Sequence, residues 1–227
     1  MGRAKHIVIT GITSGLGLAL TRQLLREGHY IHGCGRRKDP LGKEQPDHYH
    51  YQRLDITDYT AVCDWTKAIE SDGPPVDFLI HNAALMHENA NLWKIDRGRL
   101  KAVLDVNVMG TFNVLQAFLP GMLRKAHGII ITLSSGAGRM GIASISGYCA
   151  SKWAVEGLTK SLAEELPEGM AAIPLSPGIV DTDMLRINFG EDAANFQKPE
   201  AWAKVAATFI LGLDASQNGE SLTVPEA

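Results

Sequence analysis

The feature that most constrains this chain is an alternation. Short apolar runs bounded by turn residues recur along it, and amphipathic segments of helical length separate them. Strands covered on both faces of a parallel sheet read as near-continuous apolar runs, and each parallel crossover needs a dozen or so residues, usually a helix. Strands are therefore expected at 6–10, 30–35, 50–54, 76–81, 128–133, 171–176 and 221–224, and helices at 15–27, 57–70, 97–125, 147–165 and 199–213. Right-handed crossovers then give an α/β fold, a Rossmann-type, doubly wound, parallel seven-stranded sheet flanked by helices. At 227 residues with 45% hydrophobic content, a single domain over 1–227 accounts for the chain. The weakest crossover is "RRKDPLGKEQPDHYH", where two prolines and a glycine leave room for a turn or one helical turn. The polar stretch "INFGEDAANFQKPE" is expected to be a mobile loop or short helix, which makes 183–199 a candidate substrate lid.

Bulk charge narrows the partners. The formal net charge is −3 with no basic block, which gives no support to nucleic-acid or anionic-membrane binding and leaves a small molecule as the expected partner. Cys34, Cys63 and Cys149 lie far apart in no metal-ligand spacing, so they read as packing thiols of a reducing compartment, and no metal is expected. The start "MGRAKHIVIT" is too short for a signal peptide, and His6 stands where a myristoylation signal needs Ser or Thr. No apolar run approaches the roughly 18 residues of a membrane span, so a soluble cytoplasmic protein is expected.

The first apolar run ends in "TGITSGLG", with Gly11, Gly15 and Gly17 just ahead of an amphipathic segment. Glycines there permit a tight turn and a close approach of backbone to a pyrophosphate, which would rest on the N–H groups and positive dipole of the following helix. A glycine-rich turn without a ligand is the plainer alternative. No Gly-Lys-Ser/Thr follows, which excludes a P-loop. About twenty residues on, "HGCGRRK" places Gly35 where an NAD-preferring fold usually carries a carboxylate, and Arg36 and Arg37 offer donors suited to a 2'-phosphate. This favours NADP over NAD.

Further along, Tyr148 and Lys152 in "SISGYCASKWAVEGL" lie four apart and so share one helical face. A packed tyrosine beside a snorkelling lysine is the commoner meaning of that spacing alone. A catalytic meaning has the ammonium favouring the phenolate and drawing the Tyr148 pKa down from about 10 toward neutrality. Ser135, thirteen residues upstream at the end of an apolar run, falls at the carboxyl edge of the sheet, and Ser134 beside it faces away by strand alternation.

Taken in order, "TGITSGLG", "LDITD", "HNAA", Asn107 in "VLDVNVMGT", Ser135 in "TLSSGAG", "YCASK" and "PGIVDT" resemble the short-chain dehydrogenase/reductase family over nearly the whole chain. The resemblance implies an oxidoreductase, in which an NADPH hydride passes to a carbonyl, or from an alcohol in reverse. It implies catalytic roles for Asn107, Ser135, Tyr148 and Lys152, with Tyr148 as general acid/base and Asn107 holding a water that links Lys152 to solvent. Cofactor contacts are implied for Gly11, Thr13, Ser14, Gly15, Leu16, Gly17, Arg36, Arg37, Asp55, Ile56, Asn82, Ala83, Pro177, Gly178, Ile179 and Thr182, besides Tyr148 and Lys152. The substrate pocket is expected from Met140, Ile142, Met184 and Phe189 with Ser135, Tyr148 and the loop 86–93. The family's Asn-Asn-Ala-Gly stands here as His81-Asn82-Ala83-Ala84, which tolerates the same turn only if Ala84 is not at positive φ. A 3-oxoacyl-carrier-protein reductase is the alternative within enzymes, and an NADP-binding sensor or scaffold without turnover is the alternative outside them. Relatives pair the 97–125 segment and the Tyr148 helix across a dimer interface, so a homodimer is expected, with a homotetramer as the larger option.

Overall fold

A computed structural model of the chain describes residues 3–42 and 45–226. Its strands are β1 (His6–Thr10), β2 (Tyr30–Gly35), β3 (Tyr49–Arg53), β4 (Phe78–His81), β5 (Ile129–Leu133), β6 (Ala171–Ser176) and β7 (Leu222–Thr223). All pair in parallel, in the order β3-β2-β1-β4-β5-β6-β7. The chain winds outward in one direction from β1 and in the other from β4, so the β1/β4 junction is the topological switch point where such sheets bind ligands.

The helices are α1 (Gly15–Arg26), α2 (Tyr59–Asp72), α3 (Arg97–Leu104), α4 (Gly110–Lys125), α5 (Ser146–Glu165), α6 (Asp183–Phe189) and α7 (Pro199–Leu211). Strand alternation sends side chains to two cores. Ile7, Ile9, Ile80, Ile131 and Ile173 meet Leu20 and Leu24 of α1 and Trp202 and Ile210 of α7. On the other face Val8, Leu79, Ile130 and Ala172 meet Trp65 of α2, Phe118 of α4 and Leu162 of α5. This is why β1, β4, β5 and β6 are buried along their full lengths and read as apolar runs.

One segment departs from expectation. The helix expected over 97–125 is interrupted by a π-helical segment, Asp105–Met109, where i→i+5 bonding absorbs an extra residue and turns Asn107 inward to 1% exposure. The stretch Arg97–Lys125 is also, by length and composition, apolar enough to cross a membrane, with a mean hydropathy of 1.3 over its 18-residue window, which the shorter apolar runs did not suggest. Half of that window is buried in the protein, against α2 and the sheet. The late polar stretch takes the short-helix alternative of its expectation: α6 and a 3-10 segment (Gly190–Asn195) cover most of it. Its ends are pinned by the Val180–Gln197 bridge and by Asp181, which accepts from Arg186 at 2.8 and 2.9 Å and from Lys198 at 2.5 Å. Between β2 and β3 the described residues form no helix, and Lys43 and Glu44 lie outside the described residues.

Candidate active site

The site assembles at the carboxyl edge of the sheet. β1 ends at Thr10, and the chain reverses at Gly11, whose φ of 74° and 2.7 Å approach of a built Cβ to Ala83 Cα leave room only for glycine. A Cβ on Gly17 would fall on the Gly11 carbonyl oxygen and the Asn82 amide nitrogen. Asn82 ties the β1 and β4 turns together, its Nδ2 donating to the Thr10 and Gly11 carbonyls at 3.0 Å each. Thr10 Oγ1 accepts from Asn82 N and Ala83 N at 3.1 Å and pairs with His81 Nδ1 at 3.2 Å. Among the described residues only Ala126 and Ser144 are non-glycines at positive φ, so Ala84 meets the condition set by its departure from the family pattern.

Ser14 precedes α1 in an extended conformation and places no side-chain cap on it. The first-turn amides and the positive end of the helix therefore remain available to an anion. They open into a cleft of ≈ 320 Å³. Gly11, Thr13, Ser14, Gly15 and Leu16 line it together with Arg36, Arg37, Asp55, Ile56, Asn82, Ala83, Tyr148, Lys152, Pro177, Thr182 and Met184. The exposed Arg36 guanidinium stands 3.8 Å from Asp55, and Tyr51 fixes the turn below it by donating to the Gly35 and Arg37 carbonyls at 2.8 and 2.6 Å. Glycine turn, uncapped helix and paired guanidiniums fit a dinucleotide carrying an extra phosphate.

Tyr148 and Lys152 project from α5 into the same cleft. Lys152 Nζ donates to the Leu133 carbonyl at 2.6 Å and lies 5.6 Å from the Tyr148 ring centre. Burial lowers the Lys152 pKa to about 8. Burial also pushes the Tyr148 phenol up to about 12, opposed by a hydrogen bond from Ser135. This reverses the downward shift expected from the sequence: Lys152 is committed to the end of β5, and desolvation of the phenolate outweighs it.

Ser135 caps a short 3-10 turn (Gly136–Gly138), accepting from Ala137 N at 3.2 Å. Ser134, expected to face away, instead lines the cleft, and its hydroxyl donates to buried Glu156 at 2.6 Å. Asn107 lies behind the cleft: its side chain accepts from Leu85 N at 2.7 Å and donates to Leu85 O and Ser151 Oγ at 2.9 Å. Its side-chain amide thus holds the β4 loop and α5 together.

Several expected residues stand off the cleft wall. Gly17 is packed against Gly11, and Ser135 reaches the cleft through Tyr148. Gly178 forms a turn at φ 75°, and Ile179 is exposed. Met140, Ile142 and Phe189 are exposed as well, with Phe189 packed edge-on against Phe196 at 5.6 Å. The apolar walls come instead from Leu85, Met86, Val106, Met184 and Ile187, with Cys34, Leu54 and Leu133 at strand ends. The strand-end residues could have been found from the rule that ligands meet the carboxyl edge. Val106 depends on the π-helical segment, for which the sequence carried no signal.

A doubly wound sheet with an uncapped glycine turn at its switch point and a Tyr/Lys pair across the cleft defines a dinucleotide-dependent enzyme. The family model described as short chain dehydrogenase matches residues 5–192, and the chain belongs to that family and is an oxidoreductase. It is 40% identical over 227 residues to the NADPH-dependent pterin aldehyde reductase of Arabidopsis thaliana, covering 97% of this chain and 93% of the relative. It is 32% identical over 188 residues to the 3-oxoacyl-acyl-carrier-protein reductase MabA of Mycobacterium bovis, covering 81% and 72%. A gluconate 5-dehydrogenase from Burkholderia cenocepacia J2315, solved with NADP and tartrate, superposes with a TM-score of 0.85 at 27% identity, covering 97% and 93%.

Proposed function

We propose that the protein is an NADPH-dependent reductase of aldehydes or ketones, acting in reverse on the alcohols, with Tyr148 as the proton donor. The observation that carries this reading is the placement of Tyr148 and Lys152 in one cleft with the uncapped glycine turn at the switch point. Arg36 and Arg37, with Gly35 in place of a carboxylate, favour the 2'-phosphorylated cofactor, as do the NADPH-dependent Arabidopsis relative and the NADP-bound Burkholderia structure.

NADPH, when bound, supplies the hydride. The glycine turn and the first amides of α1 hold its pyrophosphate, and Arg36 and Arg37 hold the 2'-phosphate. Tyr148, kept as a phenol by burial, donates its proton to the carbonyl oxygen as negative charge develops there. Ser135 holds the Tyr148 hydroxyl and offers a second donor to the same oxygen. Lys152 supplies a fixed cation beneath Tyr148 that favours the phenolate left after transfer. Asn107 keeps the β4 loop and α5 in register.

An aldehyde carried on a planar ring, as the Arabidopsis relative's name specifies, is the substrate class best supported, with Leu85, Met86, Met184 and Ile187 as an apolar wall. Reduction of a 3-oxoacyl thioester is the second reading, favoured by the mycobacterial relative at lower identity. NADPH absorbance followed with a panel of ring aldehydes, ketones and acyl thioesters tests this: turnover of an aldehyde supports the reading, and NADPH binding with no turnover of any carbonyl favours a sensor. We also propose a homodimer through the exposed Met109, Phe112 and Trp153 of the π-helical segment, α4 and α5, which sedimentation of a monomer would contradict.

A further inference from the structure

Glu156 lies one helical turn beyond Lys152 on α5, 5% exposed, and none of the catalytic steps uses it. Its carboxylate accepts from Ser134 Oγ at 2.6 Å, Ser221 Oγ at 2.6 Å and Arg139 Nε at 2.9 Å. Those hydrogen bonds hold its pKa below the usual carboxylate value against the opposing effect of burial. Arg139 reaches on to the carbonyls of Leu222 and Pro174, at 2.6 and 3.3 Å, and to Thr223 Oγ1 at 2.9 Å. One buried carboxylate thus joins three pieces: the helix carrying Tyr148 and Lys152, the strand end carrying Ser134 and Ser135, and the last strand of the sheet.

The same loop is clamped from within. Gly138 N donates to the Ser135 carbonyl at 2.9 Å, and a Cβ on Gly138 would meet Ser134 Oγ at 2.8 Å and the Lys152 carbonyl at 2.9 Å. The 134–139 segment therefore sits directly on the helical turn of Lys152, and Ser135 has little freedom to move without Ser134.

We infer that Glu156, with Arg139, is a positioning residue: it fixes Ser134 so that the neighbouring Ser135 hydroxyl stays on Tyr148, and it anchors that arrangement to β7. A satisfied buried carboxylate that breaks into an unpaired set when altered is expected to have such leverage. Double-variant coupling is the signature of one residue acting through another.

The inference rests on the reductase reading for its kinetic arm only, and a structural arm stands apart from it. Hydrogen exchange of the unliganded protein is compared with Glu156→Gln. The account expects exchange in residues 134–140 to quicken at least about tenfold while β1 is unchanged; unchanged exchange in 134–140 overturns the inference whether or not the enzyme turns over any carbonyl. In the kinetic arm, Glu156→Gln lowers kcat about tenfold with KM for the carbonyl and NADPH affinity within about twofold, and loses less than about twofold in a Ser135→Ala background. An equal loss in both backgrounds, or no loss of kcat in the single variant, contradicts a role through Ser135. Absence of turnover in the unaltered enzyme refutes the reductase reading and leaves the exchange result to decide the role of Glu156.

Discussion

Lys152 Nζ donates to the main-chain carbonyl of Leu133 at 2.6 Å, so a buried cation is tethered to the last residue of β5. Burial lowers its pKa from 10.5 to about 8. The unfolded chain then binds more protons between those values. The contribution of this group to stability is full above pH 10.5 and is lost as pH falls through about 8. At neutral pH the fold carries a penalty of up to about 3 kcal/mol. Lys152→Met is expected to raise the urea-unfolding free energy at pH 7 by about 1–3 kcal/mol while abolishing turnover, with the gain shrinking toward pH 10.5. A loss of stability at pH 7 would contradict this.

The same two groups set the pH dependence of reduction. Tyr148, with its pKa pushed up to about 12, remains a proton donor throughout the neutral range, and the titrating partner is Lys152 at about 8. The rate of carbonyl reduction, as kcat/KM, is expected to be flat near pH 6–7 and to fall above about pH 8 with the loss of one proton. Lys152→Arg, whose cation persists, should carry that fall upward if the variant stays active. A fall centred below pH 7 would point to another group.

Cofactor choice rests on the turn after β2. Arg36 is exposed, stands 3.8 Å from Asp55, and lines the cleft beside Gly35. Arg36→Ala should raise the NADPH dissociation constant about ten- to a hundredfold and change that for NADH less than about threefold, read by fluorescence titration. Equal losses for the two cofactors would remove the 2'-phosphate role.

Close backbone approach at the phosphate turn gives a steric prediction. A methyl at Gly17 would fall on the Gly11 carbonyl oxygen and the Asn82 side chain, both held by hydrogen bonds. Gly17→Ala is therefore expected to destabilise the fold by about 1–3 kcal/mol and to weaken NADPH binding at least about tenfold. Calorimetry and titration on one sample check both. An unchanged melting temperature with unchanged affinity would show that the turn yields more freely than its contacts imply.

The strands were legible because β1, β4, β5 and β6 are covered on both faces, so burial wrote itself into the sequence as apolar runs. The Tyr148/Lys152 face was legible because helical spacing fixes which side chains neighbour each other. Other features depend on tertiary packing and left no local mark. The π-helical segment that buries Asn107 and brings Val106 to the cleft sits inside an otherwise ordinary helical pattern. Phe189 looked like pocket lining by its apolar character, yet it packs on Phe196. The direction of the Tyr148 shift was missed because a neighbouring cation is visible in sequence, whereas the desolvation that outweighs it is a property of the folded site.

The central claim is that Tyr148 delivers the proton while the cofactor delivers the hydride. Its most direct measurement is kcat for aldehyde reduction by Tyr148→Phe, with the NADPH dissociation constant measured on the same protein. The account predicts a fall in kcat of about 10²–10⁴-fold with NADPH affinity within about twofold of the unaltered enzyme. A kcat within about twofold of the unaltered enzyme would contradict it.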